Sequence, residues 1–138
     1  MKLVCDKRTF RPVDTGRVRW VDRDRDFPMV RDYTPFPLTR EHWERAHREG
    51  YRYCLIEEDG RIAAWAGERR LSDAAREVVD VQTDPAWRRL GYGKAVLSFV
   101  TAHIFSVCPL AICETRDDNV AMMRTAEAIG YRKVDTRR

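Results

Sequence analysis

A single domain of mixed α+β type is the fold class this sequence predicts, on three observations. Two alternating, β-rich runs at 51–57 and 61–67 are joined by Asp59-Gly60, a strong hairpin signal. A third apolar run at 77–83 leads through Pro85 into Arg88-Arg89-Leu90-Gly91-Tyr92-Gly93, and an amphipathic stretch follows. The 138 residues are the usual size of one domain, and 43% hydrophobic against 35% charged supplies a core with a soluble surface. No repeat, low-complexity tract or linker divides the chain, so positions 1–138 are read as one domain.

Taken in order, the N-terminal third is the least legible. Positions 9–12 and 17–21 alternate weakly, as strands would. The acid–base run 22–26 reads as an exposed loop, and Pro28, Pro35 and Pro37 mark an irregular segment. Thr39 is an N-cap, with Glu41 in the first turn of the helix it opens and Gly50 at its end. The hairpin follows, then a polar connection at 69–76 and the strand at 77–83. A helix is expected over 92–106, with Val96, Phe99, Val100 and His103 or Ile104 as its apolar stripe. His103 there reads as a packed, hydrogen-bonded residue rather than a ligand. Pro109 begins a strand at 110–115. Asp118 or Asn119 caps a last helix that closes at Gly130, and 131–134 is a final short strand. Met122 or Met123, Ala126 and Ile129 are its core fillers.

Several function classes drop away on composition. No apolar run approaches the ~20 residues that cross a bilayer. The first six residues lack a signal-peptide core, so a cytoplasmic protein is expected. Cys5, Cys54, Cys108 and Cys113 form no CxxC pair and read as buried thiols. His42 and His47 are five apart, off one helix face, and no His/Cys cluster has metal-ligand spacing, so no metal is expected. The net charge of +4 is mild and both signs are interspersed, which disfavours a nucleic-acid surface.

The stretch 88–93 carries the chemistry. Between a strand and a helix it presents the helix's first N–H groups, which have no partner inside the helix and point out of its positive end. Glycines admit a phosphate close to the backbone, since no Cβ intervenes. Arg88, Arg89 and Lys94 add cations at the same place. A plain surface turn is the bland alternative on those residues alone.

The order of pieces after Glu77 is more specific. Thr83-Asp84-Pro85, Arg88-x-x-Gly91-x-Gly93, the strand at 110–115, Asn119 and Gly130-Tyr131 together resemble the GNAT superfamily of N-acetyltransferases, closely over about the last 60 residues. The resemblance implies a GNAT-like fold: a central mixed, mostly antiparallel sheet flanked by helices. It also implies acetyl-CoA as the acetyl donor. In that scheme the backbone of Arg88, Arg89, Leu90, Gly91, Tyr92, Gly93 and Lys94 holds the pyrophosphate. Val81, Gln82 and Thr83 hold the pantetheine arm, and Asn119 helps from the neighbouring helix. A small-molecule or peptide amine is the implied acceptor and a homodimer the implied assembly; the interspersed charges and the lack of a long apolar run speak against a nucleic-acid or membrane partner.

Acetyl transfer to a lysine-like amine needs its neutral form, which at pH 7 costs about 4.6 kcal/mol for a pKa of ~10.4. A base removes that obstacle. Glu77 matches the family's catalytic glutamate by resemblance; Asp80 is the second candidate but has opposite strand parity. An exposed strand-start carboxylate is the bland reading of Glu77. One departure stands out. Many members place a tyrosine seven residues after the asparagine to protonate the departing thiolate, and here that position is Ala126. Tyr92, Tyr33 or a water are the substitutes; a thiol pKa near ~8.5 also makes its thiolate a fair leaving group unassisted. A non-catalytic acyl-CoA-binding module, a sensor or partner subunit, is therefore the alternative. Asp32, Tyr33, Glu58 and Glu68 are polar groups able to meet an amine, with ordinary surface as the simpler reading.

Overall fold

The computed structural model describes residues 1–134. Its elements run β1 Lys2–Asp6, β2 Arg19–Trp20, α1 Phe27–Tyr33, α2 Arg40–Arg48, β3 Arg52–Glu58, β4 Arg61–Arg70, β5 Ala75–Thr83, α3 Tyr92–Val107, β6 Leu110–Glu114, α4 Val120–Ala128 and β7 Arg132–Val134. The strands form one seven-stranded sheet in the order β2-β3-β4-β5-β6-β1-β7. Every pairing is antiparallel except β5 with β6, whose connection passes through α3. The mixed, mostly antiparallel sheet flanked by helices is the architecture expected from the resemblance.

Local chemistry explains most boundaries. Asp59 and Gly60 both take positive φ (53° and 74°), as the turn between β3 and β4 requires. The Thr39 hydroxyl accepts the His42 N–H at 3.1 Å and caps α2. The Asn119 side chain does the same for α4, accepting from Met122 N–H at 3.1 Å. Two segments escaped the sequence. β1 lies between β6 and β7 with Leu3, Val4 and Cys5 all buried, so no apolar–polar alternation marks it. α1 is only seven residues long and begins with Pro28 in its first turn, which suits a helix start. Positions 9–12 are not a strand; instead Arg11 N–H donates to the Ile129 carbonyl at 2.8 Å, tying the segment to the end of α4.

The two larger cores sit on opposite faces of the sheet, beside a small third cluster of Val4, Ala75 and Ile112. One packs α3 and α4 on Leu3, Cys5, Cys54, Ile56 and Val78, with Val96, Leu97, Val100 and Ile104 wholly buried. The other sets α1 and α2 on Tyr53, Leu55, Ile62 and Trp65 through Phe27, Val30 and Trp43. The two faces matter because the functional cleft opens where β5 passes between them.

Glu68 is the exception within this apolar interior. Its side chain is fully buried under α3 (0% exposed), although the sequence reads it as surface. His103 Nδ1 stands 2.6 Å from its Oε1 and Arg76 3.7 Å away, while Arg52 stacks on Trp20 and meets the other nitrogen of His103 at 3.3 Å. Neither Glu68 oxygen has an in-line hydrogen-bond donor among the described residues, so the contact is ionic rather than a well-formed bond. Burial raises the Glu68 carboxyl above its usual range, against the pull of His103 and Arg76.

Candidate functional site

A cleft of about 1090 Å³ runs from the start of α3 along the end of β5 to the helices on the far face. Its making begins in the sheet. β5 pairs with β6 only from Ala75 to Val78; beyond that point β5 continues to Thr83 without a β6 partner. The backbone edge from Val79 to Thr83 is therefore open on that side, with ladder groups free for a ligand. A bulge adds to the divergence. Trp65 pairs with Gln82 and Gly67 with Val79, so Asp80 and Val81 together face Ala66, and Asp80 takes φ 56°.

The bulge also revises the parity expected for Asp80. Cross-strand pairing puts Glu77, Val79 and Tyr53 on one face of the sheet. Burial raises the Tyr53 pKa and the charge of Asp80 adds to it, so the extra residue brings Asp80 towards that face too. Asp80 is exposed by surface area, yet crowding from its surroundings raises its carboxyl above the ordinary value. No ion pair to it is formed among the described residues.

Glu77 has a different setting. Its carboxylate is largely covered and sits 2.7 Å from Arg69 Nε; neither Glu77 nor Asp80 lines the cleft, although Asp80 adjoins Val81, which does. The remaining candidates largely converge. Val81, Gln82, Thr83, Arg88, Arg89, Gly91, Tyr92, Gly93, Lys94 and Asn119 all line the cleft. Leu90 alone of the predicted loop does not: its side chain faces solvent at 58% exposed.

The start of α3 is built for an anion. Gly91 is the N-cap at φ 79° and supplies no side-chain acceptor, and the first N–H paired back into the helix is that of Ala95, to the Gly91 carbonyl. The N–H groups of Tyr92, Gly93 and Lys94 are left at the positive end of a 16-residue helix. α2 and α4, by contrast, spend a Thr and an Asn on capping. A Cβ built at Gly91 meets nothing within 4 Å, and one at Gly93 meets Thr83 Oγ1 at 3.3 Å, so the floor of the cradle is backbone. These features fit a pyrophosphate.

Other side chains are committed elsewhere. Asn119 Oδ1 is occupied by its cap, leaving its amide N–H₂ for a ligand. Tyr92 donates its hydroxyl to Glu58 at 2.7 Å, and Arg17 closes on the same Glu58 oxygen at 2.6 Å. Ala126 is wholly buried in the core of α3 and α4, away from the cleft. Met29, Asp32 and Tyr33 of α1 complete the far wall. Sequence reasoning placed none of these on a helix, because α1 itself was invisible to it.

The model of the GNAT acetyltransferase family matches residues 18–131. The chain belongs to the GNAT acetyltransferase family. Solved GNAT structures share its fold. A putative GNAT acetyltransferase from Novosphingobium aromaticivorans is 24% identical with a TM-score of 0.76, over 95% of this chain but 57% of the other, so the chain spans little more than half of that relative. The ribosomal-protein-S18-alanine N-acetyltransferase of Escherichia coli is 21% identical (TM-score 0.68, 88% of this chain and 80% of that one). The glucosamine-6-phosphate N-acetyltransferase of Arabidopsis thaliana is 20% identical (TM-score 0.62, 88% and 95%). No curated protein matches the chain in sequence. No described helix is long and apolar enough to cross a membrane.

Proposed function

We propose that this GNAT domain transfers an acetyl group from acetyl-CoA to a primary amine. The observation that carries the reading is the uncapped start of α3, which opens into the same cleft as the free edge of β5 and Asn119. The N–H groups of Tyr92, Gly93 and Lys94 bind the pyrophosphate, flanked by Arg88 and Arg89. The β5 edge at Val81 and Thr83 holds the pantetheine arm by ladder-type bonds. Bound acetyl-CoA supplies an acyl carbon activated as a thioester. A second depression of about 620 Å³ shares Met29, Asp32 and Gly60 with the cleft and is the route we assign to the amine.

Deprotonating that amine falls to one of two carboxylates on the same face. Glu77 is engaged by Arg69, whereas Asp80 stands on the bulge beside Val81, with no ion pair among the described residues and with a raised pKa. A base of raised pKa is better matched to neutral pH. Asp80 is therefore the base in this reading, and Glu77 a support for Arg69. With an amine panel and free-thiol detection, Asp80→Asn is expected to lower turnover about a hundredfold, in the range of general-base removal, and Glu77→Gln less than threefold. The opposite ranking returns the role to Glu77. Ala126, buried where many GNAT members carry a tyrosine, favours a second reading: acyl-CoA binding without turnover. Acetyl-CoA binding with no thiol release for any amine would select it.

A further inference from the structure

Resting on that reading, we infer that Tyr33, the last residue of α1, is the proton donor to the departing thiolate. The chain has five tyrosines, and their settings separate them. The Tyr131 hydroxyl is buried against Thr101 at 2.7 Å, under α3. Tyr51 and Tyr53 are stacked beside α2, and neither lines the cleft. Tyr92 lines it but has given its proton to the bond with Glu58. Tyr33 lines the cleft, and its hydroxyl has no partner among the described residues. No histidine or cysteine lines the cleft. Its arginines do not release a proton in water, and Lys94 belongs to the glycine loop.

The placement of Tyr33 is fixed by packing. Its ring meets the edge of Trp65 with centroids 5.5 Å apart, and Trp65 is the direct partner of Gln82 on β5. Tyr33 therefore stands beside the strand segment assigned to the pantetheine arm. Burial, with the charge of Asp84 adding to it, pushes the phenol up to about 12, so it carries its proton at neutral pH; because that lies above the thiol's ~8.5, the transfer to sulfur is completed by the nitrogen's surplus proton restoring the phenol. The charge of Asp84 favours the phenol over the phenolate.

The step balances. The amine nitrogen forms its bond to the acyl carbon, the carbon–sulfur bond breaks, and the sulfur takes the Tyr33 proton. The nitrogen's surplus proton passes through water to restore the phenol. Amide and free thiol leave, and no redox partner is needed.

The test uses acetyl-CoA with hydroxylamine as acceptor, a nucleophile largely uncharged at neutral pH that needs no base. Tyr33→Phe is expected to slow thiol release about a hundredfold. Its calorimetric affinity for acetyl-CoA should stay within twofold of wild type, which also reports that the variant is folded. Tyr51→Phe, outside the cleft, leaves both unchanged. Undiminished thiol release in Tyr33→Phe with binding intact overturns the inference. So does wild-type binding without thiol release, since no thiolate then departs. A wild-type protein that does not bind acetyl-CoA overturns the underlying reading instead.

Discussion

Gly130→Ala is expected to cost about 4 kcal/mol and to leave a domain close to unfolding at 37 °C. A Cβ at Gly130 would stand 2.0 Å from the Thr9 carbonyl oxygen and 2.7 Å from its carbon, and Phe10 Cα is 3.0 Å away. All three are backbone atoms, so no side chain can swing aside. The segment cannot retreat either, because Arg11 N–H is bonded to Ile129 and the Phe10 ring packs on Phe105 at 5.4 Å. Overpacking typically costs up to about 3 kcal/mol, and the φ of +107° adds about 1 more for a residue with a Cβ. For a domain with roughly 5–15 kcal/mol in hand, that is a large share. A melting temperature about 12 °C or more below wild type is the expected readout. Gly50→Ala is the control: its φ is +93° but nothing lies within 4 Å, so only the strain of about 1 kcal/mol applies. Equal melting temperatures for the two variants would show that the crossing at Thr9 relaxes freely.

His103→Leu is expected to destabilise by about 3 kcal/mol at neutral pH, since breaking a buried pair strands the remaining charge. Glu68 would keep Arg76 at 3.7 Å and the weaker pull of Arg52 inside a fully buried site. The pH dependence has a definite sign. Loss of His103 removes a group that lowers the Glu68 pKa, so the folded value rises further above the ordinary 4.5. A carboxyl whose folded pKa exceeds its unfolded one binds more protons when folded, so stability falls as pH rises from about 4.5 through the folded value. The variant should therefore recover towards wild type on acidification, until general acid unfolding intervenes. Urea midpoints across pH check this; a deficit independent of pH would mean that His103 contributes packing on Trp20 (5.0 Å) rather than charge.

The glycine loop, the β3–β4 hairpin, the cap at Thr39 and, as one of two neighbours, the cap at Asn119 were legible because each rests on chemistry within a few residues. β1 was not, since a strand buried on both faces shows no period. α1 was not, since seven residues with a proline give too little pattern. That loss carried over to the site: Met29, Asp32 and Tyr33 reach the cleft only through α1. The bulge at Asp80 hid another part, because alternation counted from Glu77 assumes an unbroken ladder. Glu68 was hidden for a third reason, as only tertiary packing tells a buried carboxylate from a solvated one. Gly130 was read as a helix terminator, which it is, but the close crossing of Thr9 is a contact between distant positions.

Calorimetric titration with acetyl-CoA, comparing wild type with Gly91→Glu, tests the central claim most directly. A Cβ at Gly91 meets nothing within 4 Å and the substitution costs about 1 kcal/mol of backbone strain, so the variant remains folded. It places a carboxylate at the uncapped start of α3, where the pyrophosphate is assigned. Saturable one-site binding in wild type, weakened about a hundredfold or more in the variant, is the predicted result. Absence of binding in wild type, or equal affinity in both proteins, would contradict the assignment of the α3 N-terminus as the acetyl-CoA site.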